Sequence, residues 1–444
     1  MDIAVPSEVA LGDLLPAVLL QFGAEIIEES ADHEGFVAQR LGSAVLDEDL
    51  TPRQLDLADG EQVFLRPRAD QLTPIDYDDV VAGVGEQVRD HDGMWTPART
   101  RVLLLAGATA AMLLGVPLLV LTGGSGLPGV TAVLGAVATG CLLAGAGMLA
   151  RGSTDTTTGT VLAGLAAAYG AATGAMVADA LGAGVSTMPA LTCAAAAAGV
   201  VLTIALLLVA DAALLFTGAL VLVAVLVVTG VVGSAARLTT GGAAASVLAL
   251  TMIAGLFLPQ TAFRLSGLTL PLLPTAPDQL TDDITPVPHR LVLDRGRATV
   301  GYSAALHVGL GAGQLLLIVP VVTSGGWATV YGAVAALLLL LRSRHPLGLV
   351  PRWSMVAPGA VGAAAIPLAM VATVDPLVGV GVLWFPVVLA GIGLLALTDV
   401  MPARRLRPYW GRAVDILESL AAVAMLPLLL AVLGVYSAVR GLAS

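Results

Sequence analysis

From Arg101 onward the apolar residues fall into blocks long enough to cross a bilayer as helices, roughly 20 residues each, separated by short turns rich in glycine, proline or charge. Eleven such helices are predicted. Their cores are Val102–Leu121, Gly129–Ala150, Thr157–Val177, Met188–Ala210, Ala212–Val232, Gly241–Leu258, Gly301–Pro320, Gly326–Leu341, Met355–Val374, Pro376–Thr398 and Ala413–Val439. Only Asp211 interrupts the fourth and fifth blocks, and their combined length of about 45 residues is twice what one span needs. Two helices joined through a tight polar turn are therefore expected there.

The first 95 residues follow a different pattern. Asp2–Val5 alternates polar and apolar positions like a strand, and Pro6 ends it. Leu14, Leu15, Val18, Leu19 and Phe22 recur at helical spacing, with Ser7 or Gly12-Asp13 as the cap and Gly23 as the stop. An extended piece Phe36–Leu41, a turn at Gly42, the acidic loop Asp47–Asp49, a helical turn at Arg53–Leu57 and an Asp59-Gly60 turn lead into a strand Gln62–Arg66. One helix packed on one sheet is an α+β roll of the ubiquitin-like β-grasp pattern. The chain thus reads as a head over residues 1–70, a linker over 71–100 and an eleven-helix membrane domain over 101–440. Within the linker, Val80, Val81, Val84 and Val88 share one helical face, weakened by Gly83 and Gly85. In the membrane domain, Pro259 to Thr299 is expected to be a long loop of functional character.

Composition agrees: apolar residues make up 57% of the chain and charged residues only 12%, where a soluble domain carries about a quarter charged. The charge is unevenly placed. Residues 1–95 hold 21 acidic residues and 5 arginines, the remainder 11 acidic residues and 16 arginines, which together give the net charge of -11. Arginines concentrate in the connections after helices two, six, eight and ten, and Arg99 and Arg101 precede helix one, while only Arg237 and Arg440 fall on the other side. By the bias of basic residues toward cytoplasmic loops, the N-terminus is expected inside and the C-terminus outside a plasma membrane. The start is not read as a signal peptide, since Asp2 and Glu8 leave Met1–Val9 without an apolar core.

All 21 basic residues are arginine, so phosphate-binding or Schiff-base lysine chemistry is excluded and any motor must be a partner. Cys141 and Cys193 read as small apolar fillers in lipid. Asp155, Asp179, Asp211, Asp375 and Asp399 fall at helix ends or turns, leaving His307 as the one plausible buried titratable group, read as a hydrogen-bonded structural residue. Asp415 and Glu418 read as interfacial anchors or partner contacts beside Arg412, favoured by a helix N-terminus. Gly170 to Gly174 is a GxxxG that suits a packed bundle or a homodimer equally. Gly309 to Gly313 has no preceding strand, which argues against a nucleotide loop. No nucleophile, base and orienting group converge, and no internal repeat is evident. The chain is therefore expected to be no enzyme, with no cofactor, metal or nucleic acid.

Residues Gln39 to Gly42, Leu46 to Leu50, Asp59-Gly60 and Val63 to Arg68 resemble the ubiquitin-like, YukD-like head of the EccD family, the polytopic membrane component of actinobacterial type VII (ESX) secretion systems. Ala262 to Pro271, Arg412 to Leu420 and Leu433 to Gly441 carry the resemblance through the membrane domain, and eleven spans is that family's architecture. Heads of the family open on a β-hairpin, whereas this chain opens on what should be its second strand. Either the native start lies upstream of Met1 or the sheet has an open edge that invites strand addition by a partner. The head runs on into the membrane domain and offers no free tail for conjugation, so it is a docking module. Its acidity predicts a basic protein surface as target, with salt-sensitive binding.

The resemblance implies a membrane scaffold and conduit component that works with an FtsK/SpoIIIE-type ATPase and the other membrane components, pairs with a second copy, contacts lipids and serves export of WXG100-type substrates. Within the resembling stretches Arg40, Asp59, Arg66, Arg68, Arg264, Arg412, Asp415 and Glu418 are the candidate partner contacts. The competing reading is a stand-alone polytopic transporter or permease for a small solute.

Overall fold

A computed structural model of the chain describes residues 5–22, 35–40, 45–58, 60–67, 81, 95–152, 156–268, 288–371, 374–400 and 408–443. The chain divides into two compact units, Met1–Pro97 and Ala98–Ser444.

In the first unit, helix α1 spans Leu11–Phe22, somewhat earlier than its apolar spacing alone suggests. The Leu11 and Gly12 amides donate to the Leu50 and Glu48 carbonyls, which satisfies donors that a helix start leaves free. Strands β1 (Phe36–Arg40) and β2 (Val63–Pro67) pair antiparallel, with Ala38 opposite Leu65. Leu11 and Leu15 of α1 meet Ala38, Leu46, Leu55, Leu57 and Leu65 in a small core. One helix therefore covers one face of the sheet, as the alternation predicts. The predicted opening strand, apart from Val5, and the linker helix, apart from Val81, lie outside the described residues.

In the second unit the apolar blocks become α2 (Pro97–Gly124), α3 (Pro128–Gly152), α4 (Thr156–Ala180), α5 (Met188–Leu208), α6 (Ala213–Ala235), α7 (Thr240–Ala254) with its continuation α8 (Leu258–Leu265), α9 (His289–Thr323), α10 (Trp327–Arg342) and α11 (Leu349–Met370). There follow α12 (Pro376–Val378), which runs through a π turn at Gly379–Trp384 into α13 (Phe385–Val400), then α14 (Pro408–Val432) and α15 (Val435–Ala443). Ten of these helical segments are long and apolar enough to span a bilayer, and α10, at 16 residues, is the short eleventh. Its length of about 24 Å falls short of a hydrocarbon core of about 30 Å.

Three boundaries differ from expectation. The stretch 259–299 is not a loop at its ends: Pro259 sits in the first turn of α8, where its missing N–H costs nothing, and α9 begins ten residues before Thr299. The last span is broken, because Gly434 adopts φ +71° between α14 and α15. Asp415 and Glu418 lie two and three turns into α14, which starts at Pro408, and so beyond the reach of the helix N-terminus. The turn at Asp211 is as expected, a single 3-10 turn Ala210–Ala212 between α5 and α6.

Two cores share α6. Phe216 joins Ala146 of α3, Ala163 and Ala166 of α4, and Val201 and Leu202 of α5. Val225 instead joins residues of α7 to α10 and α14, around a fully buried Tyr331 whose hydroxyl donates to the Ala245 carbonyl at 2.9 Å. Small residues set the spacing. Gly170 and Gly174 of α4 press on Val201 and the Cys193 carbonyl of α5, so this GxxxG works within the chain. Gly309 and Gly311 of α9 press on the backbone carbonyls of Gly218 in α6 and Ser354 in α11. The glycine run of α9 is thus a helix-packing surface.

Candidate functional site

The charged residues of the second unit converge where α10 ends, α11 begins and α14 passes. The run Arg342-Ser-Arg-His345 closes α10, and Pro346 prevents the helix from continuing, so three basic side chains project at one level. Across from them, Asp415 and Glu418 stand three residues apart on α14, hence on one face. Arg344 Nη2 donates to Asp415 Oδ1 and, at 2.8 Å, to Glu418 Oε2. His345 Nε2 meets the same Glu418 oxygen at 2.9 Å. Arg342 Nη1 donates to the Met252 carbonyl at 2.7 Å, and its Nε stands 3.8 Å from Glu418 Oε1. The Arg344 guanidinium is held above arginine's ordinary pKa, first by its hydrogen bond to Glu418, with Asp415 adding to it. This network fastens the α10–α11 turn to α14.

A second fastening joins α8 to α9. Arg295 Nη1 donates to the Ser266 carbonyl at 2.8 Å, and Thr299 Oγ1 donates to Ser266 Oγ at 2.8 Å. Gly267, at φ +74°, ends the helix in the left-handed conformation usual after a C-cap. A basic side chain on the last carbonyls also suits the negative helix end. Beyond this joint α9 carries Leu291, Val292 and Leu293, all close to half exposed.

Between these fastenings lies a cavity of about 740 Å³, walled by α7 to α11 and α14. Its surface is largely apolar, with Met252, Leu256, Leu310, Leu339 and Met355, but His307, Gln314 and Thr251 also face it. His307 and Gln314 are only 6% and 4% exposed. His307 Nδ1 lies 2.7 Å from the Ser303 carbonyl, which can only accept, so Nδ1 carries a proton, and in the neutral form of the ring Nε2 is the acceptor. The histidine is therefore hydrogen-bonded, as expected from sequence, yet it also addresses a cavity. Among the described residues no group of three or more His, Cys, Asp or Glu could hold a metal ion.

The structure places the sequence candidates unevenly. Asp415 and Glu418 come together, but on Arg344, Arg342 and His345 rather than on Arg412, which is exposed and shares only a shallow hollow with Asp415. Arg264 is exposed on the last turn of α8. In the head, Arg40 is engaged internally: Nε and Nη2 bind Glu61, and Nη2 also donates to the Leu55 and Asp56 carbonyls at 3.0 and 2.9 Å. Arg66 is exposed on β2. Asp59 and Arg68 lie outside the described residues. Arg344 and His345 were missed as site residues; the signal was a basic run and an acidic pair at the ends of two spans predicted to face the same side.

A family model described as the EccD-like transmembrane domain matches residues 100–442. A second, described as protein YukD of the WXG100 protein secretion system (Wss), matches residues 1–65. Among solved structures, the chain is similar to protomer 1 of the ESX-3 core complex, at 20% identity and a TM-score of 0.58, over 98% of this chain and 96% of that one. It is also similar to a chain of the MycP5-free ESX-5 inner membrane complex in State II, at 17% identity and a TM-score of 0.60, over 89% of this chain and 95% of that one. No curated protein matches it.

Proposed function

Because the chain belongs to the family with the EccD-like transmembrane domain, over residues 100–442, we propose that it is the multi-pass scaffold of a type VII secretion complex in the inner membrane. The observation that carries this reading is the union, in one chain, of a YukD-like head and an EccD-like body, with a fold shared along nearly the whole length of an ESX-3 core-complex protomer. The scaffold is not an enzyme. It holds an FtsK/SpoIIIE-type ATPase through its acidic head and through the cytoplasmic end of the bundle, pairs with a second copy, and contributes its helices to the passage for WXG100-type substrates. The N-terminus is cytoplasmic and the C-terminus extracytoplasmic.

Two structural features support a docking role for the arginine-rich end. Arg264, Arg290, Arg297 and Arg412 are exposed there. Leu291, Val292 and Leu293 extend an apolar surface past the α8–α9 joint, and such a mixture of apolar and arginine positions suits a protein interface. Deleting the gene should abolish export of WXG100-type proteins, and the intact chain should restore it. Unchanged export in the deletion strain would refute the proposal. Solute uptake by the purified chain in liposomes, with no partner present, would favour the stand-alone transporter instead.

A further inference from the structure

The cavity beside the Arg342–Glu418 contact presents an unusual set of free polar atoms for a bundle otherwise sealed by small residues. Glu418 Oε2 receives both Arg344 and His345, whereas Glu418 Oε1 has only the Arg342 Nε at 3.8 Å, beyond hydrogen-bond distance. Arg342 is bound through Nη1 alone, to the Met252 carbonyl. His307 Nε2 has no hydrogen-bond partner among the described residues, although the residue is 94% buried, as its 6% exposure states. The only fully buried side-chain polar atom without a partner among the described residues is Arg344 Nε, so the free atoms of Glu418, Arg342 and His307 are not sealed in protein. All three residues line the cavity. It therefore offers one guanidinium donor and two acceptors above an apolar chamber of Met252, Leu256, Leu310, Leu339 and Met355.

We propose that this cavity binds one zwitterionic phospholipid with a primary ammonium, a phosphatidylethanolamine, with its phosphate on Arg342, its ammonium on Glu418 Oε1 and His307 Nε2, and an acyl chain in the apolar chamber. The volume lies within the range of small-molecule sites. Charge complementarity selects the headgroup. The surrounding cluster sets Arg342, Arg344 and His345 against Asp415 and Glu418, and the carboxylate on the cavity wall is Glu418, so an anionic headgroup would meet it unfavourably while a zwitterion matches both signs. Both free acceptors require a donor, which an ammonium has and a trimethylated amine lacks. Bound there, the lipid ties α9, α10 and α14 together at the level of the charged network. This site is independent of the secretion reading.

The test uses the full-length chain, stripped of lipid in detergent and titrated with phosphatidylethanolamine, phosphatidylcholine or phosphatidylglycerol, with bound lipid counted by native mass spectrometry. Phosphatidylethanolamine should bind at one per chain and roughly tenfold more tightly than phosphatidylcholine, the size expected of a charge-assisted hydrogen bond. Glu418→Gln should remove most of that preference. Val300→Trp, at an exposed position on the cavity wall, should reduce retention without unfolding the chain. Equal binding of the three lipids, a preference for phosphatidylglycerol, or unchanged retention in Val300→Trp would each overturn the proposal.

Discussion

At the scale of single residues, Glu418 and Glu61 make the clearest predictions. Reversing one charge, as in Arg344→Glu, sets three carboxylates together and should destabilise the bundle by about 1.5–3 kcal/mol, the range for hydrogen bonds to charged groups. Adding Glu418→Arg should recover a substantial part of that loss, read as a coupling in a double-mutant cycle of thermal melts. In the head, the Arg40 hydrogen bond and then the Ala58 amide hold the Glu61 carboxyl below its ordinary pKa. A carboxyl depressed in the folded state stabilises above its unfolded pKa, and that contribution is lost as pH falls through the folded value. Protease resistance of the head in the full-length chain should therefore weaken on acidification below about pH 4.5, the ordinary value, and Glu61→Gln should flatten that response. Asp415 and Glu418 were legible in the sequence as a pair on one helix face. Their partners were not, because periodicity orients a residue on its own helix and does not say which helix end faces it. Arg40 was legible as part of a family motif, but its internal role depends on the loop at Asp56, a non-glycine residue at φ +51°.

At the scale of elements, the bundle rests on close helix approaches that only glycine allows. Gly309→Ala drives a methyl into the Gly218 carbonyl and should cost on the order of 1–3 kcal/mol, the usual range for overpacking. Gly391→Ala, on a segment with nothing within 4 Å of the added carbon, should be near neutral in the same melting assay in detergent. Equal effects of the two would contradict this packing. The spans themselves were readable, because an apolar block of bilayer length admits little but a helix. Their ends were less so. Pro259 suggested a loop, yet proline also suits a first turn, and burial of Leu258 and Ala262 in the core together with the fastening of Arg295 and Thr299 to Ser266 stabilises the extensions of α7 and α9. Gly434 lay inside an unbroken apolar pattern, where hydropathy cannot register a change in φ.

At the scale of the molecule, an acidic stretch of about 95 residues, head and linker together, precedes an apolar body rich in arginine at the ends of its helices, and this division was visible in composition alone. The cavity was invisible at that level, since it depends on how six helices meet. Reporter fusions should place the N-terminus in the cytoplasm and the C-terminus outside; the opposite assignment would reverse which end of the bundle meets the motor. The most direct test of the scaffold role is purification of the tagged chain from its native membrane in mild detergent, with and without residues 1–95. The account predicts that an FtsK/SpoIIIE-type ATPase co-purifies with the intact chain and is lost when the head is removed, whereas an ATPase that never co-purifies, or that remains bound to the headless chain, would contradict it.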